Sequence, residues 1–470
     1  MVFPRRKIVA GMPWSVSLVQ RAVFLIDRFP SHIYASLGLA RRLENIGCSI
    51  EYWGGDSAAG AMIKSQGFNF RPLDGLWSRY PNGLHRFRQA RRVPIRETIV
   101  RRQRAQQLRG SIRRVQQAID LNLLAFRPDL LIFDPFLLGY GPLFFQRGMP
   151  AVVLSTKAPS APDAMVPPYT SGLIPGKGPS RSTLVRLAWL GCRLSYGARR
   201  MAQLATGYAG VYMHEHLAAE IAQQANFPLD AERVVDWLPF DLHLRSIPEW
   251  VLWLPEMDLP RAQPLPENLK YIGPSVDLKR IEPEIPFIRA AGQKFVYVSV
   301  GTVKGKNNSD VRFLSKIIDA FRDLPDIAVA ISAGSKDTLA ALPAPPPNVR
   351  AFSFLPQLRL LDSADLVITH AGAGTFRECI VKQVPMLAYP RNSDQFGNSA
   401  RIAFHGAGLR GSRRRATPAS IRRDALCVLG DAAFRRNIRQ VGQHLDRYES
   451  DAFLRAALDD AISRTSRSGC

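Results

Sequence analysis

The sequence predicts an α/β protein of two doubly wound, Rossmann-like halves facing each other across a cleft. Three observations predict it: strand and helix patterns alternate in each half, a Pro-rich stretch separates the halves, and 470 residues exceed one ordinary core. In the first half, Ala22 to Asp27 is a short apolar run and Arg28 to Ser31 a loop. His32 to Gly47 then has helical spacing through Ile33, Leu37, Ala40 and Leu43, and Ser49 to Trp53 resumes as a strand. A second unit has a helix near Ser111 to Phe126 and strands Leu130 to Asp134 and Ala151 to Ser155. Pro159 to Gly178, rich in Pro, Gly and Ser, reads as a surface loop over the strand ends. Amphipathic helices follow near Leu184 to Leu204 and Met213 to Gln224. The prolines from Pro255 to Pro286 read as a linker, with the boundary at its end. Beyond it come strand Phe295 to Val300, helix Val311 to Arg322, strands Ile327 to Ser332 and Ala364 to Thr369, helix Gly374 to Val381, strand Pro385 to Tyr389, and a closing helix at Ala452 to Ile462. Sheets of this kind bind ligands outside the carboxyl ends of their strands, so two of them imply two substrates.

Composition narrows the class. Hydrophobic residues at 46% and charged residues at 22% exclude a mainly disordered or fibrous chain. No apolar run reaches the ~18 residues that a membrane-spanning helix needs. Arg5, Arg6 and Lys7 precede an apolar patch, but Pro13 and Trp14 interrupt it, so a leader is not expected. The 5 cysteines are odd in number and lack CxxC spacing, which predicts reduced thiols and a cytoplasmic protein. The net charge of +24 concentrates in Arg79 to Arg114, which has almost no acidic partners. Nucleic acid, anionic lipid headgroups and plain solubility all suit such a stretch.

The densest signal runs from Phe354 to Ala400. Strand Leu366 to Thr369 delivers His370, Gly372 and Gly374 into a loop that opens a helix, so backbone N–H groups and the positive helix end converge on one point, an anion site. The glycines admit a phosphate, Thr375 adds a hydroxyl donor, and Glu378, one turn on, can accept from ribose hydroxyls. A nucleoside diphosphate fits. A dinucleotide site does not, because Arg377 stands where the third glycine would be.

Phe354-Leu355-Pro356-Gln357, His370-Ala371-Gly372, Thr375, Glu378 and Asp394-Gln395 together resemble the donor signature of the family 1, UDP-glycosyltransferase-like enzymes of the bacterial macrolide and carotenoid type. The resemblance covers about Lys294 to Arg410 and is thin over the first half. It implies the GT-B fold: residues 1–282 as the acceptor domain, 283–442 as the nucleotide-sugar domain, and a helix within 443–470 packing back on the first. It also implies roles. Phe354, where many members have Trp, and Gln357 would hold the base; His370 and Thr375, with Gly372, Gly374 and the loop Gly301-Thr302, the diphosphate; Glu378 the ribose; Asp394 and Gln395 the sugar hydroxyls. Phe354 could instead be core, and Asn398 reads as a helix cap.

Glycosyl transfer needs a base for the acceptor hydroxyl and a stabilised leaving group. His32, opening the first helix, resembles the family's base, and Asp134, ending a strand, the aspartate that orients it. The loop here is Ser31-His32-Ile33-Tyr34-Ala35 rather than the Gly-His-x-x-Pro of many bacterial members, so acceptor geometry does not transfer. No Asp-x-Asp pair occurs, so no metal and no cofactor beyond a UDP-sugar co-substrate is expected, with inversion by one displacement. The Arg-rich stretch with Trp77, Tyr80, Phe136 and Phe144 suits an anionic membrane surface at the inner face and a lipophilic acceptor, with no specific nucleic acid. The rivals are a catalytically degenerate protein of the same fold with a regulatory role, and a nucleotide-sugar epimerase.

Overall fold

The computed structural model describes residues 19–73, 76, 110, 112–145, 147–176, 180–206, 212–234, 242–287, 292–301 and 309–467. Two all-parallel sheets organise them. The first contains β1 (Arg21–Leu25), β2 (Ser49–Gly54), β3 (Asn69–Pro72), β4 (Leu130–Phe133), β5 (Ala151–Ser155), β6 (Glu249–Val251) and β7 (Leu269–Tyr271), in the order β3-β2-β1-β4-β5-β6-β7. The second contains β8 (Lys294–Ser299), β9 (Ile327–Ser332), β10 (Val349–Phe352), β11 (Leu366–Thr369), β12 (Met386–Ala388) and β13 (Gly408–Arg410), in the order β10-β9-β8-β11-β12-β13.

The central strands are apolar throughout, and every residue of β4 and β11 is buried. A strand covered on both faces has no reason to alternate polar and apolar residues. In each sheet the order reverses between two neighbours, β1 and β4 in the first and β8 and β11 in the second. These are the points where the following loops diverge and leave a crevice.

The Pro-rich stretch is not a simple linker. Pro255, Pro260, Pro264 and Pro266 lie in the β6–β7 connection, and β7 adds an edge strand to the first sheet before the chain crosses over in residues 272–287. Edge position tolerates this composition, since a proline there interrupts no ladder on its outer side. The last helix, Asp451–Arg467, returns to the first domain. Leu454, Ala457, Leu458 and Ala461 are buried there with Ala22, Phe24 and Leu252, an i, i+3, i+4, i+7 stripe.

The two domains share a core. Trp253 stacks on Phe376 at 4.6 Å between ring centroids, within one cluster of buried residues that also takes in Met257, Cys379 and Ile402. At this seam Arg401 reaches Asp258 at 2.5 and 2.8 Å, with the two side chains 1% and 3% exposed. The Tyr271 hydroxyl also donates to Asp258. The loop after β5 completes the seam: the Tyr169 carbonyl lies where a Cβ on Gly397 would stand, 2.1 Å away, and Arg410 donates to the Gly172 carbonyl.

Candidate active site

The first-domain half of the site forms at the β1/β4 reversal. Phe29 caps the helix Pro30–Asn45 without a side-chain bond, and Pro30 fixes its first residue, which sets His32 in the opening turn. The Asp134 carboxylate, immediately after β4, meets His32 Nδ1 at 2.5 Å. Its other oxygen accepts from the Phe136 N–H at 2.8 Å, so the aspartate also caps the 3-10 turn Pro135–Tyr140. With Nδ1–H donated to Asp134, Nε2 keeps its lone pair for a substrate proton. Burial disfavours the charged imidazole, yet the charge and hydrogen bond of Asp134, aided by Asp27, outweigh burial and hold the His32 pKa above its ordinary value; Lys157 opposes them. Asp134 is 2% exposed, which suits a fixed counter-charge.

Aromatic rings wall this base. Phe136 lies 4.8 Å from the His32 ring and Phe29 5.8 Å. Lys157, two residues past β5, stands 5.3 Å over the Phe136 ring and 5.7 Å from that of Tyr169. No local pattern marks Lys157 in the sequence, although it follows the carboxyl end of β5, where sheets of this kind bind ligands.

The second-domain half forms at the β8/β11 reversal. Gly301, with φ +80°, and Gly372 flank the His370 ring, where an added Cβ would stand 2.6 Å and 2.4 Å from ring atoms respectively. Ala371 takes φ 60°, an unfavourable conformation for a residue with a Cβ, and two bonds fix it. Its N–H donates to Thr369 Oγ1 at 3.1 Å, and its carbonyl accepts from Asn398 Nδ2 at 2.9 Å. Asn398 is therefore not a helix cap: fully buried inside Gln395–Phe404, it also donates to Asp394 at 3.0 Å and ties the loop after β11 to that carboxylate. Gly372 caps the helix Ala373–Val381 with no side-chain bond, leaving first-turn N–H groups directed into the crevice. Desolvation, with Arg391 and Arg413 nearby, pushes His370 down to about 4 against the Ser299 carbonyl and Asp310. His370 is thus a neutral hydrogen-bonding ring at pH 7.

The surroundings of Glu378 are tightly braced. Glu378 accepts from Arg280 Nη1 at 2.7 Å and from Gln357 Nε2 at 2.5 Å. Two lone pairs remain for ribose hydroxyls. Gln357 also meets the Tyr297 hydroxyl at 3.2 Å and Thr375 at 3.3 Å, so it orders the pocket from within. Arg280 comes from the crossover and lies 4.6 Å over Tyr34 of the first domain; no local pattern marked it. Phe354 is 60% exposed, which removes the core reading and leaves a free ring face. Gln395 Oε1 accepts from the Arg391 and Asn392 N–H groups, bracing the loop beside Asp394. Thr302, Trp77 and Tyr80, and Arg79 through Arg109, lie outside the described residues.

The two halves meet. Burial raises the Asp394 pKa, and the opposing influences on it include the charges of Lys157 and His32 from the facing domain. A carboxylate on the donor side thus lies within electrostatic reach of the acceptor-side base.

Residues 315–446 match the family described as erythromycin biosynthesis protein CIII-like, C-terminal domain, a span holding His370, Gly372, Glu378 and Asp394. This second domain is thus similar to the macrolide type of the family 1 glycosyltransferases. The resemblance read from the sequence therefore holds. The chain is 34% identical to the oleandomycin glycosyltransferase of Streptomyces antibioticus over 32% of this chain and 35% of that protein. It is 23% identical to an uncharacterized UDP-glucosyltransferase of Bacillus subtilis over 44% of this chain and 50% of that one. The chain thus spans between a third and a half of the length of these curated relatives. In fold the likeness extends over nearly the whole chain: the kitacinnamycin glycosyltransferase structure aligns at TM-score 0.64 and 19% identity over 94% of this chain and 98% of that one. Glycosyltransferase VinC, solved in complex with DTDP, aligns at 0.58 and 17% over 95% and 100%. Both domains together have the GT-B fold.

Proposed function

We propose that the chain is an inverting, metal-independent glycosyltransferase that moves a hexose, glucose first among candidates, from a UDP-sugar to a hydroxyl of a lipophilic small molecule. The observation that carries this is the His32–Asp134 pair at 2.5 Å, facing Asp394 across the crevice from a free helix end. The chemistry follows. His32 Nε2 takes the acceptor proton while Asp134 offsets the imidazolium that forms. The acceptor oxygen bonds to the anomeric carbon as the carbon–phosphate-oxygen bond opposite it breaks, so the configuration inverts. The departing diphosphate keeps the electron pair, stabilised by the helix N–H groups and hydrogen bonds from the loop holding His370.

Metal independence is supported by the missing Asp-x-Asp and by the lack, among the described residues, of any group of three or more metal-binding side chains. Phe29 and Phe136 beside the base, with Tyr169 near Lys157, support a lipophilic acceptor. The spare acceptor capacity of Glu378 supports a ribose donor, as does the UDP-glucosyltransferase relative; the VinC complex holds a thymidine nucleotide in its own site. A cytoplasmic setting accords with the free thiols of Cys48, Cys192, Cys379 and Cys427.

A mass-spectrometric screen of the purified protein with several nucleotide sugars against a panel of lipophilic alcohols and phenols tests the activity. Glycosylated product with retained anomeric configuration, or product only after metal addition, would overturn the mechanism. Calorimetry tests the donor: UDP-glucose is expected to bind more tightly than its thymidine counterpart, and the reverse order would remove the ribose role of Glu378.

A further inference from the structure

The helix Ser180–Thr206 is 27 residues long, and its sequence holds five arginines and neither Asp nor Glu. One side packs inward: Val185 and Trp189 are 0% and 9% exposed, and the Trp189 indole donates to the Val166 carbonyl at 2.9 Å. A helix on the surface of a globular protein should turn polar residues outward. This one turns out Leu184, Leu187, Leu190 and Leu194, exposed by 48%, 57%, 52% and 64%. At 3.6 residues per turn these four share an arc of about 120° opposite Val185 and Trp189, with Thr183, Gly191 and Ala198 between them. Arg186 and Arg193 follow one border of the arc, and Arg181 the other.

We infer that this leucine face is a membrane-seating surface that lies along an anionic lipid bilayer, with its arginines at headgroup depth. An apolar face flanked by cations and devoid of acids is complementary to a bilayer interface, where leucines enter the acyl boundary and guanidinium groups reach phosphates. Among the described residues no helix is long and apolar enough to cross a membrane, so the helix lies on the surface rather than through it. A second copy is a poorer occupant. A two-fold contact through this face would bring like borders of arginine together with no acid on the helix to neutralise them. The chain's net charge of +24 adds long-range attraction to anionic lipid. The inference does not rest on the transferase reading, and its seat is a different element from Arg79 to Arg114.

The test is flotation of the full chain with phosphatidylcholine vesicles, with and without phosphatidylglycerol, at low and high salt. Binding to the anionic vesicles is expected, reduced but not abolished by salt. Leu187→Gln with Leu194→Gln should lower the partition coefficient about tenfold or more, with donor affinity and melting temperature unchanged because both side chains already face solvent. Arg186→Gln with Arg193→Gln should weaken anionic binding several-fold and leave neutral vesicles unaffected. The inference is overturned if the native chain ignores anionic vesicles, or if the leucine variant floats as well as the native protein. It is equally overturned if light scattering shows a dimer that the leucine variant dissolves while flotation is unaffected. Should the leucine variant melt early, the arginine pair decides: unchanged flotation overturns the inference, and a selective loss on anionic vesicles sustains it.

Discussion

The two domains solve the same topological problem with unlike sequence economies. Both place their chemistry at a strand reversal, β1/β4 in one and β8/β11 in the other. In the second domain His370, Gly372, Thr375 and Glu378 sit within nine residues, because one loop and one helix turn suffice to build the proposed diphosphate and ribose site. In the first domain His32 and Asp134 come from separate crossover units and meet only after folding. A local motif marks the loop and helix start by spacing alone, whereas a pair built on a long-range contact, such as His32 with Asp134, is read from the sequence only through resemblance to a family and is seen as a contact only in the folded chain.

If that division is real, damage should separate by domain. The largest effect belongs to the base: His32→Ala should lower turnover by ~10² to 10⁴ while leaving UDP-sugar affinity nearly intact. A loss of donor affinity of similar size would break the comparison. Asp134→Asn comes next, with ~10-fold to 10³-fold lower turnover, since it disturbs both imidazole orientation and charge. On the other side Gly372→Ala places a Cβ 2.4 Å from His370, and donor affinity measured by calorimetry should fall about tenfold while the chemical step in single-turnover experiments changes less.

The pH dependence gives a subtler separation. In the proposed mechanism the basic form of His32 is the active one, so kcat/KM should rise with pH through a midpoint above the ordinary value of 6.5. Removing the positive charge in Lys157→Met should move that midpoint up, and Asp134→Asn should move it down. On the donor side the sign is opposite. His370, pushed down to about 4, is neutral in the free protein, and an arriving diphosphate favours its protonation, so UDP-glucose affinity should increase as pH falls from 8 to 5.5. This is the smallest of these effects, about two- to tenfold. Equal binding enthalpies in buffers of different ionisation heat would show that no proton is taken up.

Much of the architecture was legible because buried parallel strands and amphipathic helices carry strong periodic patterns. β6 and β7 were not, since each has three residues and the connection between them is rich in prolines. The helix Gln395–Phe404 escaped for a different reason: Gln395, Asn398, Ser399 and Arg401 are buried in it, so its inward face is polar and shows no apolar period. Arg280 and Lys157 are single cations in irregular segments, and only the folded chain shows the first against Glu378 and the second over Phe136.

The seam of Trp253 on Phe376, with Arg401 buried against Asp258, bears on how such chains can be recombined. A chimera joining this first domain to the second domain of a relative inherits half of a buried junction. If the incoming partner lacks the arginine, Asp258 loses its closest cation and keeps only the Tyr271 hydroxyl and Arg261 at 3.8 Å, a loss on the order of a few kcal/mol that a stability margin of about 5 to 15 kcal/mol absorbs poorly. Exchangeable modules in this fold are therefore defined less by the crossover at residues 272–287 than by whether Trp253, Asp258, Phe376 and Arg401 travel as a set.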